Sequence, residues 1–306
     1  MITARNLTKR FSDVVALDHL NCNIPNGCIY GLVGANGAGK STFLRLMSGI
    51  YRPDEGAVCI DGGEIYENVE VKKHFVFVPD ELFFLPQSTM DRMAKLYATV
   101  YERFDKDRYQ ALAQTFRLQT DKPLNTFSKG MRRQAAVILA LSTMSEYIFF
   151  DETFDGLDPV MRNLVKQTLY ADVVDRGCTV VVTSHSLREL EDTCDQLALL
   201  YKGGIVFESD VQNIKTSLFK LQVAFDTDFD QTAFADFEVL SYTKQGKVAN
   251  LIMRGDREAC SKAMAEKSPL LMEILPLALE EVFIYEMEAL GYAFEEARAN
   301  GGVKHE

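Results

Sequence analysis

Short apolar runs and longer amphipathic segments alternate along the first two hundred residues of the chain. The apolar runs predict β-strands, and the segments between them, in which apolar residues recur at helical spacing, predict α-helices. The run Tyr147-Ile-Phe-Phe150 is apolar throughout, as in a central strand buried on both faces. This alternation is typical of an α/β domain with a mainly parallel sheet. Strands are expected at 2–7, 20–24, 28–33, 58–60, 75–78, 147–150, 179–183 and 196–201, and helices at 41–50, 89–118 and 128–142.

The pattern changes after Gly204, where a strand with apolar residues at every second position is followed by a predicted hairpin. The turn of that hairpin is Lys244-Gln-Gly-Lys247. The expected order, β-α-β-β-α-β, is that of a ferredoxin-like split unit. Its strands are expected at 218–226, 237–242, 248–253 and 271–275, and its first two helices at 231–235 and 257–267.

A last amphipathic helix ends this region, and Gly291 is a suitable C-terminal stop for it. Its apolar face comprises Leu279, Val282, Phe283, Met287 and Leu290. The chain is therefore expected to contain a first domain at 1–208, a small accessory α+β domain at 209–291 and a loose polar tail at 292–306.

A glycine-rich loop follows the predicted strand 28–33 and opens the helix 41–50. It reads Gly34-Ala-Asn-Gly-Ala-Gly-Lys-Ser-Thr42, the G-x-x-x-x-G-K-S pattern of a phosphate-binding loop. Glycines let backbone N–H groups close around phosphate oxygens, and the helix N-terminus adds a partial positive charge. Lys40 is expected to contact the β- and γ-phosphates, and Ser41 to ligate Mg²⁺. The sequence thus predicts binding of a nucleoside triphosphate. The binding residues are Gly34, Asn36, Gly37, Ala38, Gly39, Lys40, Ser41 and Thr42.

Two acids, Asp151 and Glu152, end the apolar strand 147–150. A strand that ends in acids is often merely solvated, but beside a phosphate loop these carboxylates are expected at the ligand-binding edge of the sheet. Asp151 is assigned to Mg²⁺ and Glu152 to polarising the attacking water. His185 follows another apolar strand, where its imidazole is placed to contact the γ-phosphate or that water. A structural histidine is the alternative.

A second anion-binding helix start is expected at Ser128-Lys-Gly130, where a hydroxyl, backbone N–H groups and the helix dipole coincide. One triphosphate does not need two such helix starts from one subunit. The economical arrangement is a dimer in which this segment caps the nucleotide of the other subunit. Asp158 and Pro159 carry the N-cap and first-turn signals of a further helix.

Composition and net charge limit the kinds of partner and the cellular compartment expected for this protein. The 306 residues carry a net charge of −11, which argues against nucleic acid or an anionic membrane as the main partner. Six scattered cysteines with no C-x-x-C pair are typical of a reducing cytosol. No signal peptide and no apolar run long enough to span a bilayer is visible in the sequence.

Together these motifs resemble the ATPase subunit of an ATP-binding cassette (ABC) transporter over about residues 2–208. The resemblance makes the phosphate loop the Walker A motif, Asp151 and Glu152 the Walker B acid and the catalytic acid, and His185 the switch histidine. It makes 128–134 the signature motif and 156–158 the D-loop, so that Ser128, Gly130 and Asp158 join the nucleotide site. Phe11 occupies the position of an aromatic residue that stacks on adenine, with simple packing as the alternative.

The chain departs from the family pattern at two positions. Lys129 replaces a signature glycine and is expected to project toward the γ-phosphate of the opposite subunit. Asp80 replaces the Q-loop glutamine and is expected to ligate Mg²⁺ directly or through water. Gln87 is the alternative, but the spacing from Lys40 favours Asp80.

The resemblance implies an α/β P-loop ATPase with a small α+β C-terminal extension, of the kind found in bacterial drug, antibiotic and peptide exporters. It implies ATP and Mg²⁺ as cofactors, and a homodimer or paired ATPase subunit that drives a separate membrane permease. The protein is then cytoplasmic and peripheral on the inner face of the membrane, with no nucleic acid partner. The alternatives are a soluble ABC protein of translation or DNA maintenance, and an ATP sensor without turnover. Glu152 and His185 together disfavour the sensor.

Overall fold

The structure is a computed structural model, and it describes residues 1–213, 218–275 and 277–289. The chain divides into two compact units, Met1–Glu208 and Ser209–Glu306. Within the described part of the chain, no helix has both the length and the hydropathy needed to cross a bilayer.

Two sheets form the first unit. Its strands are β1 (Ile2–Phe11), β2 (Val14–Ile24), β3 (Ile29–Val33), β4 (Glu55–Ile60), β5 (Gly63–Glu64), β6 (Phe75–Val78), β7 (Tyr147–Phe150), β8 (Thr179–Ser184), β9 (Gln196–Tyr201) and β10 (Gly204–Asp210). One sheet has the order β2-β1-β4-β5 and the other β10-β9-β3-β8-β7-β6. In the six-stranded sheet, β3 is parallel to β8 and β9, and β7 is parallel to β6 and β8.

The parallel sheet provides the buried centre of this unit. Every residue of β3, β7 and β8 is buried, which explains why these strands read as mainly apolar runs. One continuous core joins both sheets, with Leu7, Tyr30, Phe43 and Phe149 among its fully buried members. The strands predicted at 2–7 and 20–24 prove to be longer, because the polar residues between them pair as an antiparallel hairpin with several register shifts.

Seven helices are described in the first unit. They are α1 (Lys40–Met47), α2 (Val69–Lys72), α3 (Met90–Val100), α4 (Lys106–Thr115), α5 (Lys129–Ser142), α6 (Pro159–Arg176) and α7 (Leu187–Glu191). The prediction of one helix over 89–118 was wrong, since α3 and α4 are separate. The Asp105 side chain accepts the N–H of Arg108 and caps a new helix there.

The described part of the second unit forms one antiparallel sheet. Its strands are β11 (Leu218–Ala224), β12 (Glu238–Gln245), β13 (Val248–Arg254) and β14 (Leu271–Leu275), in the order β12-β13-β11-β14. The predicted hairpin is present, with Gln245 opposite Val248 and Gly246 at a φ of 60° in the turn. The strand order and the directions of the strands are those of a ferredoxin-like unit.

Among its described residues, the second unit includes the helices α8 (Arg257–Glu266) and α9 (Leu279–Ala289). The helix predicted at 231–235 is only a 3₁₀ turn, Gln231–Phe234, whose Phe234 enters the core of the unit. The predicted apolar face of the last helix is buried at Leu279, Val282, Phe283 and Met287. Leu290, Gly291 and the tail 292–306 lie outside the described residues.

Candidate nucleotide site

A cavity of about 400 Å³ opens at the carboxyl ends of β3, β7 and β8. Ligands collect at this edge of a parallel sheet because the loops that leave neighbouring strands converge there. The cavity is lined by Val14, Val15, Ala16, Asn36, Gly37, Gly39, Lys40, Ser41, Thr42, Asp80, Glu152, Asp155 and His185. Most of the predicted phosphate loop and both predicted catalytic residues therefore share one cavity, while Gly34 and Ala38 belong to the loop without lining it.

The phosphate loop connects β3 to α1 and depends on its glycines. Gly39 has a φ of 112°, and a Cβ there would lie 2.6 Å from the carbonyl oxygen of Ala16 and 2.7 Å from Cδ2 of Leu17. Gly37 has a φ of 82°, a conformation that L side chains rarely adopt. The loop can therefore present backbone N–H groups to a phosphate only with glycine at these positions.

Lys40, Glu152 and His185 form a chain of contacts in the cavity. The Lys40 ammonium, only 5% exposed, donates to the Gly34 carbonyl at 2.7 Å and lies 3.2 Å from Oε1 of Glu152. The other carboxylate oxygen of Glu152, Oε2, lies 3.0 Å from Nδ1 of His185. The base predicted to act on water, the cation predicted to bind phosphate and the predicted switch histidine are thus linked by one ion pair and one hydrogen bond.

Asp151 is fully buried at the end of β7. Its Oδ1 accepts the hydroxyl of Thr183 at 2.7 Å, and that hydroxyl in turn accepts the Glu152 N–H at 3.0 Å. Its Oδ2 is buried and has no hydrogen-bond partner. A buried carboxylate oxygen without a partner is costly, so this atom fits the ligand role for a divalent cation that the sequence predicted. Sequence reasoning missed Thr183, which fixes both acids.

Asp80 lines the cavity, as its predicted role requires, but its carboxylate is already engaged. Arg133 donates from NH2 to Oδ1 of Asp80 at 2.7 Å and from NH1 to the Asp80 carbonyl at 2.9 Å. The alternative, Gln87, is exposed and does not line the cavity. Asp80 is thus the residue of this loop that reaches the site, and Arg133 competes with a metal for its carboxylate.

The signature residues Ser128 and Gly130 do not line the cavity of their own chain. The Ser128 hydroxyl caps α5 by accepting the N–H of Met131 at 3.2 Å. A Cβ on Gly130 would lie 2.9 Å from the carbonyl oxygen of Gly156, so the D-loop packs closely on the start of α5. These contacts leave the roles of Ser128 and Gly130 toward a nucleotide as predictions about a second subunit.

Asp158 is the N-cap of α6, as predicted, and accepts the N–H groups of Val160 and Met161 at 3.0 Å each. It does not line the cavity, so its assignment to the nucleotide site also stays a prediction.

Phe11 lies outside the cavity lining. Its ring packs edge-on against Tyr51 with the centroids 5.3 Å apart, and it is 40% exposed. Val14 and Val15, two exposed valines at the start of β2, line the cavity instead. Sequence reasoning passed over them, because two adjacent valines do not show in the sequence whether they are exposed.

Lys129 forms an ion pair within its own chain, and its expected projection toward the γ-phosphate of the opposite subunit stays a prediction about a second subunit. Its ammonium lies 2.7 Å from Oδ2 of Asp155, a cavity residue in the loop between β7 and α6. Sequence reasoning missed Asp155 because a single acid in a loop carries no pattern.

Known proteins of similar sequence are ATP-binding proteins by name. The family model for ABC transporter matches residues 17–155. The ABC transporter ATP-binding protein YtrB of Bacillus subtilis is 29% identical over 93% of this chain and 97% of its own length. The daunorubicin/doxorubicin resistance ATP-binding protein DrrA of Streptomyces peucetius is 30% identical over 71% of this chain and 67% of its own length.

The fold has solved counterparts. A dimeric structure of a bacterial ABC transporter cassette aligns with a TM-score of 0.64 and 24% identity, over 69% of this chain and 99% of that one. The α/β fold class and the family resemblance predicted from the motifs are confirmed. The chain belongs to the ABC transporter family and is one of its ATP-binding, ATP-hydrolysing subunits.

Proposed function

We propose that this subunit hydrolyses ATP with Glu152 as general base and drives a separate membrane permease that exports its substrate. The observation that carries the hydrolytic part is the contact of one carboxylate, Glu152, with both Lys40 and His185. A base that acts on water beside the γ-phosphate has to lie next to the cation that binds that phosphate.

Different residues of the cavity bind the phosphates and accept the proton. Lys40 and the loop N–H groups bind the β- and γ-phosphates. The Lys40 ammonium lies 3.2 Å from Oε1 of Glu152. When this ammonium binds a phosphate oxygen instead, Oε1 of Glu152 becomes available to accept a proton. Glu152 then accepts a proton from water while His185 holds its second oxygen in place.

Mg²⁺ fits the residues present. Ser41 and Asp151 would hold it, the latter through the buried and unpartnered Oδ2, with Asp80 as a further candidate. When bound, it would neutralise part of the phosphate charge.

The dimer is supported by the position of the signature segment. Ser128 and Gly130 start a 14-residue helix, α5, yet neither lines the cavity of its own chain. A helix N-terminus is suited to an anion, and the γ-phosphate bound to a second copy of the chain is the anion we assign to it. Two copies would then hold two ATP molecules between them.

Export through a permease is supported by the relatives. One is named for daunorubicin/doxorubicin resistance, one for bacitracin transport and one for lantibiotic transport. The exposed Phe83 and Leu85, in the segment between β6 and α3, provide an apolar surface on which the permease docks. The protein is then peripheral on the cytoplasmic face of the membrane.

Light scattering on the Glu152→Gln variant tests the dimer, because this variant should bind ATP without hydrolysing it. We expect a dimer with ATP and a monomer without it. Adding Ser128→Arg should abolish the dimer, because the larger side chain blocks the approach of the phosphate bound to the partner subunit. The affinity of the monomer for ATP should stay within about twofold of the wild-type value. Equal loss of ATP binding in the monomer would overturn the assignment to a second subunit.

The transport role is tested by the ATPase rate in vesicles that contain a candidate permease, chosen as a protein with about six membrane-spanning segments encoded in the same genome. Stimulation there, and none by ribosomes or DNA, separates the exporter from the soluble alternatives.

A further inference from the structure

Three carboxylates face the nucleotide cavity, and each is paired with a cation of the same chain. Glu152 lies 3.2 Å from Lys40, which belongs to the phosphate loop. Asp80 and Asp155, which also line the cavity, each pair with a cation outside the phosphate loop, and the N–O distance is 2.7 Å in both pairs. A triphosphate carries several negative charges, so carboxylates that face it without a partner would oppose its binding.

The two remaining cations both come from the start of α5. Lys129 is its first residue and pairs with Asp155, and Arg133, four residues later, pairs with Asp80. Residues four apart lie on the same face of a helix. One helix face thus supplies the partners of both carboxylates.

Close packing holds Lys129 in this position. A Cβ on Gly130 would lie 2.9 Å from the Gly156 carbonyl oxygen, which leaves no space between the helix start and the loop of Asp155. The Lys129 methylene groups cover Gly156, with Cδ 3.4 Å from where a Cβ of Gly156 would be. The ammonium next to Asp155 lowers the pKa of that carboxyl group, which keeps it ionised and the pair intact.

The two pairs differ in burial. Arg133 is 1% exposed and also donates to the backbone carbonyls of Pro79 and Asp80, so it orders the whole loop. Lys129 and Asp155 are 66% and 45% exposed, and an exposed pair adds little to folding stability. The Lys129–Asp155 pair can therefore be altered without unfolding the protein.

We propose that Lys129 and Arg133 are positioning residues of the nucleotide site in their own subunit. They hold Asp155 and Asp80 in ion pairs and so reduce the negative charge that the cavity presents to the triphosphate. The assignment requires only that the chain binds ATP, and it is independent of the dimer and of export.

The decisive variant is Lys129→Met in the full-length chain, which keeps most of the side-chain length and removes the charge. We expect the dissociation constant of ATP, measured by calorimetry in EDTA, to rise about fivefold, as Coulomb's law predicts for one added charge about 4 Å away at the dielectric of water, which applies because the pair is exposed. The rise should be smaller for ADP, smallest for AMP, and should shrink in high salt.

Two further variants complete the test. Lys129→Met combined with Asp155→Asn should restore the affinity, because the unpaired carboxylate is then gone. Lys95→Met, an exposed lysine on α3 outside the cavity lining, changes the net charge equally and should have no effect. Wild-type ATP affinity in Lys129→Met would overturn the proposal, as would a loss that is equal for ATP and AMP and persists in the double variant.

Arg133 is tested through its partner, because removal of a buried arginine risks unfolding. Asp80→Asn leaves the Arg133 charge in place and should tighten ATP binding severalfold in EDTA. Weaker binding under these metal-free conditions would overturn the role of Arg133. Loss of affinity only with Mg²⁺ present would instead report on the metal-ligand role of Asp80 under the proposed function.

Discussion

The two units of this chain both combine strands and helices, but they differ in the directions of their strands. In the first unit, parallel strands send their loops to one edge, so the loops after β3, β7 and β8 supply Lys40, Glu152 and His185 to one cavity. In the second unit, every described strand pair is antiparallel, and the loops are divided between opposite ends of the sheet. Strand direction therefore decides where polar loop residues can converge, and so where a catalytic site can form.

The cores of the units differ as well. The second unit is held by a cluster of aromatic rings that includes Phe225, Phe229 and Phe234, with centroids 5.0 to 6.3 Å apart. Aromatic residues contribute large buried area, and such a core needs no polar partners. We therefore expect substitutions in the first unit to change catalysis and substitutions in the second to change stability.

The largest effect expected from this comparison is on turnover. Glu152→Gln keeps the shape of the side chain but removes the base, so kcat should fall by about 100-fold or more while ATP still binds. The matched control is Glu273→Gln on β14 of the second unit, which should keep wild-type kcat. A steady-state phosphate-release assay measures both, and unchanged turnover in Glu152→Gln would remove the base from the mechanism.

The next effect is on binding. Lys40→Ala removes a nearly buried cation and its charge-assisted hydrogen bonds to phosphate, so the dissociation constant of ATP should rise about 10- to 100-fold. Lys247→Ala, at the exposed hairpin turn of the second unit, should leave it unchanged. Calorimetry on the monomer measures both variants. Equal affinities for wild type and Lys40→Ala would place the phosphates elsewhere.

The third effect is on stability and should be confined to one unit. Phe234 is 1% exposed in the aromatic core, so Phe234→Ala should destabilise the second unit by about 3–5 kcal/mol. Denaturant titration followed by far-UV circular dichroism should show an earlier transition, while ATP affinity stays within about twofold. A parallel loss of ATP binding would show that the units do not fold independently.

The smallest effect is expected from removing the second unit altogether. A protein that ends after Asp210 keeps β10 complete and retains Glu208, which accepts the Tyr30 hydroxyl at 2.6 Å. It should remain folded and bind ATP with wild-type affinity, with a changed ATPase rate or dimer yield. Insolubility of this truncated protein would place the extension within the catalytic domain.

Local sequence was enough to predict most elements of both units. The apolar runs fixed β3, β7 and β8, and the glycine pattern placed the phosphate loop, because both signals arise from neighbouring residues. The single helix expected over 89–118 failed because the pattern of apolar residues continued across Asp105. The capping contact of that residue with Arg108 starts a new helix there.

The sequence by itself determined the family, the fold class and the identity of the phosphate loop, the two acids and the histidine. Only the tertiary structure decided which side chains pair with one another at the site. Thr183 on Asp151, Arg133 on Asp80 and Lys129 on Asp155 are contacts between residues 26 to 53 positions apart. Such pairs have no sequence spacing of their own, because the distance between them is set by the strand order and by the packing of α5 against the loops of the cavity.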